Sequence, residues 1–173
     1  MLQARIHGIK DGKFEINLSC ATNEIKDLPE EFFGQISVEG ILAKVGKRYT
    51  LTGKVRFNAH LVCDISLEEY DEEIFANFEF VFIANTEMYL MREEKDIYET
   101  ESGEIIIHED DQYLDISELI RQELLLNIPL KKISPKYRDL SFEELYPQFS
   151  SDKNKGQDIE NVWSELKKLQ LGN

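Results

Sequence analysis

Between Tyr49 and Phe82 three runs alternate with a period of two. In YTLTGKVRF, Tyr49, Leu51, Val55 and Phe57 share one side, and Thr50, Thr52, Lys54 and Arg56 share the other. HLVCDISL continues the alternation after Asn58 and Ala59, with Leu61, Cys63, Ile65 and Leu67 pointing one way. In EEIFANFEFVFI, Phe78, Phe80 and Phe82 alternate with Glu79 and Val81. Successive side chains of a strand point to opposite faces, so this pattern demands a half-buried sheet and excludes a helical core for this region. Earlier runs behave alike. LQARI aligns Leu2, Ala4 and Ile6, and KFEINLS aligns Phe14, Ile16 and Leu18. GIKDGK between them supplies an Asp-Gly turn signal, so these two runs are expected to form a hairpin. NEIKDLPEEFF, with Pro29, reads as an irregular connection, and ISVEGILA as a strand closed by a turn at Lys44–Lys47. Closely spaced strands of this kind predict a curled antiparallel sheet or a small β-barrel.

The second half changes period. After a weakly periodic stretch, in which EIIIH (104–108) is one more short strand, DISELIRQELLLNIP places Ile116, Leu119, Ile120 and Leu124 on a helical stripe. Asp115 and Glu118 resemble a capping box, and Pro129 ends the helix. Ser141 and Glu144 form a second capping box at SFEELYPQF, a short second helix. SSDKNKGQ is linker-like, and DIENVWSELKKLQ puts Ile159, Val162, Trp163, Leu166 and Leu169 on one stripe. The expected class is therefore α+β, a curled sheet followed by a C-terminal helical segment. One domain covers 1–149, comprising a β-rich segment (1–86), an acidic stretch (87–111) and a helical segment (113–149). A linker and short amphipathic tail helix cover 150–173.

Charge is distributed as unevenly as periodicity. The 173 residues carry a net charge of −14. Residues 64–118 hold nineteen Asp/Glu against two Lys/Arg, whereas the flanking regions are near neutral. Such a chain is not drawn to nucleic acid as a whole; it needs a local basic face. Lys44, Lys47, Arg48, Lys54 and Arg56 fall on one expected hairpin with no acid between them, and are the first candidates for phosphate contact. Lys131, Lys132, Lys136 and Arg138 form a second cluster near the end of the main helix, with Arg121. Both clusters also fit the bland reading of solvated edges, where lysines discourage strand-to-strand association.

Positive signs of catalysis are missing. The sequence has no P-loop, no GxGxxG and no HExxH. His7, His60 and His108 lie far apart, and two cysteines, Cys20 and Cys63, are too few for a disulfide framework. Cys63 falls between Leu61 and Ile65 on the apolar side, as a structural thiol does. The expectation is a non-enzymatic protein without cofactor or metal. The N-terminus has no apolar signal region and no run approaches the length of a bilayer span, so a cytoplasmic location without membrane contact is expected.

The order of these pieces carries a resemblance. GIKDGKFEINL, a β-region ending in CDIS, an acidic stretch, DISELIRQELLLNIPLKKISPK and a terminal NVWSELKKL together resemble the YceD-like family. This is a bacterial family associated with accumulation of large-subunit ribosomal RNA. The family typically has Cys-Asp-Arg-Cys where this chain has Cys63-Asp64-Ile65-Ser66, and many members have further cysteines after the main helix, where IPLKKISPKYRDL has none. Cys63 with Ser66 therefore looks like the remnant of a paired-cysteine motif, and serine is a poor zinc ligand. The resemblance implies a factor in processing, stability or assembly of large-subunit RNA, with that RNA or its precursor as partner. An alternative is a protein-binding module whose acidic stretch holds a basic ribosomal protein.

Overall fold

A computed structural model of the chain describes residues 1–91 and 103–145. The chain divides into two compact units, residues 1–133 and the chain from Ser134 onward. The expected linker and tail helix of 150–173 lie outside the described residues.

In the first unit, four long runs form consecutive antiparallel strands: β2 (Gly12–Ala21), β3 (Phe32–Val45), β4 (Arg48–Val62) and β5 (Glu69–Ala84). The alternation seen in the sequence is the burial pattern observed. Leu51, Val55, Phe57, Ala59 and Leu61 are buried, while Thr52, Lys54, Arg56 and His60 are exposed. A two-residue turn at Gly46 and Lys47 joins β3 to β4. Gly46 takes φ +59, and its amide donates to Asp11 Oδ1 at 3.1 Å.

Three expectations are corrected here. The short strand β1 (Gln3–Arg5) does not form a hairpin with β2. It pairs antiparallel with β7 (Tyr113–Asp115), Ala4 opposite Leu114. The Asp-Gly turn signal is used differently, since Asp11 anchors the β3–β4 turn instead of closing a local hairpin. The sheet is also mixed rather than antiparallel throughout. The strand β6 (Glu104–Ile107) joins β5 in parallel, because the chain between them, which includes helix α1 (Thr86–Leu90), is long enough to cross over. Finally, the strand order β2-β3-β4-β5-β6 leaves edges at β2 and β6, so the sheet does not close into a barrel.

The expected stripe of the main helix is found in α2 (Ser117–Leu126). Leu119, Ile120 and Leu124 are buried, as is Ile116 before it. These join the inner faces of the sheet and Leu2, Ala4 and Ile6 in one continuous core. Asp115 does not cap the helix by the expected box. Its Oδ1 accepts from Ser117 N at 3.0 Å, while Glu118 turns to Arg121 at 2.8 Å. The Leu2 amide donates to Ser117 Oγ and the Ile116 amide to the Leu2 carbonyl, each at 2.9 Å, so the N-terminal strand is fastened to the start of the helix. In the second unit, α3 (Phe142–Leu145) carries its capping box: the Glu144 amide donates to Ser141 Oγ at 3.3 Å and the Ser141 amide to Glu144 Oε2 at 2.8 Å.

One inner row of the sheet runs Ile16, Gly40, Gly53, Phe78 across β2 to β5. No side chain separates β3 from β4 there. A Cβ on Gly53 would lie 2.3 Å from the Glu39 carbonyl, 2.8 Å from Gly40 Cα and 2.9 Å from the Phe78 ring. Phe78, stacked on Phe80 at 4.9 Å, covers the glycines in place of their missing side chains. Gly53→Ala is therefore expected to destabilise the protein by about 2 kcal/mol or more, as overpacking does where backbone must move. Urea denaturation checks this. A variant as stable as the parent would mean that the strands part easily at this row.

Candidate nucleic-acid interface

The outer face of β2–β5 is built by the residues that alternate with the core. Neighbouring strands set them in rows. Ser19, Ser37, Arg56 and Phe75 form one, Asn17, Glu39, Lys54 and Asn77 the next, and Glu15, Ile41, Thr52 and Glu79 a third. Phe75 is out of phase with the buried Phe78, Phe80 and Phe82 and stands 60% exposed on this face, opposite Arg56. An exposed aromatic beside a guanidinium is a common platform for unstacked bases.

The five basic residues of the hairpin do not share one situation. Lys44 Nζ donates to the Ile9 carbonyl at 2.8 Å and lies over the Tyr49 ring. Lys47 pairs with Glu109 at 2.9 Å and Arg48 with Glu104 at 2.6 Å, so two acids that follow β5 in the chain are drawn to the hairpin turn. The Glu109 carboxylate is held below its usual range, chiefly by the hydrogen bond from Lys47. Arg56 reaches Glu73 at 3.6 Å. Lys54 is exposed, and no side-chain hydrogen bond or ion pair occupies it among the described residues. Exposed pairs of this kind are worth about 0–1 kcal/mol each, so a phosphate can replace the carboxylates at little cost.

Beside Lys54 lies a hollow of about 450 Å³, rimmed by Glu15, Asn17, Glu39, Thr52, Lys54 and Asn77, with Ile41 and the Gly40–Gly53 backbone between them. The basic hairpin does not by itself point to Phe75, Asn17, Glu39 or Asn77. The phase of Phe75 against its neighbouring phenylalanines is the sequence signal for the first. The others need the register of four strands.

The second basic cluster is divided between the two units, Lys131 and Lys132 in the first, Lys136 and Arg138 in the second. Lys136 lies over the Tyr137 ring at 5.1 Å. Lys132 contributes its backbone rather than its charge. Its amide donates to Asp64 Oδ2 and its carbonyl accepts from the Asp64 amide, each at 2.7 Å.

That contact belongs to the turn containing Cys63. Strand β4 ends at Val62, and Cys63 is completely buried. Its amide donates to the Glu68 carbonyl and its carbonyl accepts from Leu67 N, each at 2.9 Å. The alternation expected to run on through Ile65 and Leu67 stops here. Leu67 takes φ 60 and is 77% exposed. Ser66 Oγ accepts from Glu68 N at 3.3 Å. Among the described residues, no three His, Cys, Asp or Glu side chains gather as metal ligands would.

At the far end of the outer face, His60 sits between Asp71, 2.6 Å from Nδ1, and Glu69, 3.5 Å from Nε2. The hydrogen bond to Asp71, then that to Glu69, raises its pKa above the ordinary 6.5.

A family described as "Large ribosomal RNA subunit accumulation protein YceD" matches residues 51–170. The chain belongs to the YceD family. The match begins within β4 and takes in Lys54, Arg56, Phe75 and Asn77, but not the turn lysines or β2 and β3. No curated protein and no solved structure matches the chain significantly. The family description names an accumulation role rather than a reaction. No described helix is long and apolar enough to cross a membrane.

Two outcomes are expected. Cys63→Ala should cost about 1–2 kcal/mol in a denaturant titration, as loss of a small buried side chain does, and leave the protein folded. A variant that unfolds would assign the thiol a larger role. For His60, the raised folded pKa means that its ion pairs stabilise the protein fully below about pH 6.5 and are lost as pH rises through the folded value. Asp71→Asn should lower the His60 midpoint in an NMR titration, and an unchanged midpoint would contradict the assigned cause.

Proposed function

We propose that this YceD-family chain serves the accumulation of large-subunit ribosomal RNA as a non-enzymatic factor that contacts the RNA directly, through the outer face of β3–β5. The observation that carries the reading is the grouping of unoccupied Lys54, weakly paired Arg56 and uncovered Phe75 on one sheet face. Cations gathered on a rigid strand hold phosphates, and the aromatic holds a base. Of the nearby acids, Glu104 and Glu109 already answer Arg48 and Lys47, while Glu15, Glu39 and Glu79 share the outer face and confine the contact to a few nucleotides. Lys47 and Arg48 continue the surface towards the turn, and can join once RNA phosphate displaces their present partners, whereas Lys44 lies in the inner row with Tyr49 and Phe82 and is not part of this face.

The alternative gives the acidic stretch a basic ribosomal protein to hold. Exposed Glu87, Asp110 and the outer acids of β5, Glu69, Asp71 and Glu73, support it. The two readings separate in one experiment, a titration of the parent chain and a Lys54→Glu, Arg56→Glu variant against precursor large-subunit RNA fragments at two salt concentrations. With about three phosphate contacts to a single strand, log affinity should fall against log salt with a slope of about −2. The variant should bind about tenfold or more weakly, since charge-assisted hydrogen bonds are lost and reversed. Equal affinity for both proteins, or no binding at low salt, would overturn the RNA reading and favour the protein partner.

A further inference from the structure

The hollow beside Lys54 has a chemistry of its own. The geometry points to a subsite for a single guanine base of unpaired RNA, with Glu39 and Lys54 reading its Watson–Crick edge. The inference rests on the RNA-contact reading above and makes it specific.

The first observation is that the rim is uncommitted. Glu15, Asn17, Glu39, Lys54 and Asn77 come from four strands to one hollow, and no side-chain hydrogen bond or ion pair engages any of them among the described residues. The other cations of the hairpin all have partners, so the unoccupied groups are concentrated here. The second is size. About 450 Å³ lies within the roughly 300–1,000 Å³ of small-molecule sites, and the hollow is a shallow, open one with room for a base. The third is the floor. Ile41, 45% exposed, offers an apolar surface on which the face of a base can rest.

The order of charges then selects the base. Glu39 and Lys54 are direct register partners on adjacent strands, and Asn77 is the next position across. The row therefore presents two carboxylate acceptors, then an ammonium donor, then an amide. The Watson–Crick edge of guanine presents N2–H and N1–H, two donors side by side, followed by the O6 acceptor. Guanine matches the row along its length: its two donors meet Glu39, and O6 meets Lys54. Uracil has one N–H flanked by two carbonyls, which a carboxylate repels. Adenine and cytosine each offer an amino group next to an unprotonated ring nitrogen, so one carboxylate oxygen faces an acceptor. Single-stranded RNA is read on these edges once its bases are splayed out. Arg56 and Phe75, one row away, are placed for the adjoining phosphate and the neighbouring base.

The test uses the full chain and two fluorescently labelled RNA heptamers, one all uridine and one with a central guanosine, in anisotropy titrations at low salt. The guanosine heptamer should bind about tenfold more tightly, the discrimination typical of a bidentate base contact. Glu39→Gln should lose the preference and bind both heptamers alike, with all-uridine RNA bound somewhat more tightly than by the parent because the repelling carboxylate is gone. Phe75→Ala should weaken both in equal proportion. Unchanged thermal unfolding of each variant shows that binding, not folding, has been altered. If the parent binds both heptamers equally, the guanine subsite is wrong while RNA contact stands. If the preference survives in Glu39→Gln, the subsite lies elsewhere. If neither heptamer binds, the subsite and the RNA-contact reading fall together.

Discussion

At the centre of the sheet, β3 and β4 touch backbone to backbone. Gly40 and Gly53 are register partners, and any side chain on either would run into the main chain of the other strand. The three strands β3, β4 and β5 are fourteen to sixteen residues long, and a sheet of that length must coil to wrap its apolar face around one core. A glycine pair covered by an aromatic from the next strand permits that approach. Phe78 supplies the cover, and the same backbone reappears between the side chains that rim the outer hollow. Core and candidate interface are thus two faces of one close contact.

Electrostatics divides the remaining work. A chain with net charge −14 can present a usable basic face only by keeping its acids occupied or distant. Both devices are present. Glu104 and Glu109 are engaged at the hairpin turn by Arg48 and Lys47, and Asp71 and Glu69 are gathered around His60 at the far end of β4. Between these ends lies the row in which Lys54 is left unoccupied. The surface is consequently not a broad cationic patch, since Glu15, Glu39 and Glu79 stand on the same face as Lys54 and Arg56.

Much of this fold is legible from residue order. The period-two runs mark β2, β4 and β5 with the inward faces found, because each strand buries one side only, while β3 is marked as a strand without a face and begins earlier, at Phe32; the Ile116, Leu119, Ile120, Leu124 stripe marks the buried side of α2. Pairings between distant segments are not legible in this way. β1 finds β7 across more than a hundred residues, and β6 joins β5 in parallel after a long crossover; no local signal specifies either. The end of β4 departs from the alternation for a local reason: the turn after Cys63 is held by backbone bonds to Leu67, Glu68 and Lys132, which a period of two does not reveal. For the site, the five cations of the hairpin are visible as a cluster, but their partners are not. Only the fold distinguishes Lys54 from Lys47 and Arg48, and only the strand register brings Asn17, Glu39 and Asn77 to its side.

The central claim is that the outer face of β3–β5 meets RNA. Ultraviolet cross-linking of the full chain to large-subunit precursor RNA, followed by mass spectrometry of the nucleotide-bearing peptides, tests it most directly. Adducts are expected on peptides spanning residues 39–56 and 70–79, with Phe75 and Lys54 among the modified positions. Adducts confined to the segment 131–138, or found only outside β3–β5, would contradict it.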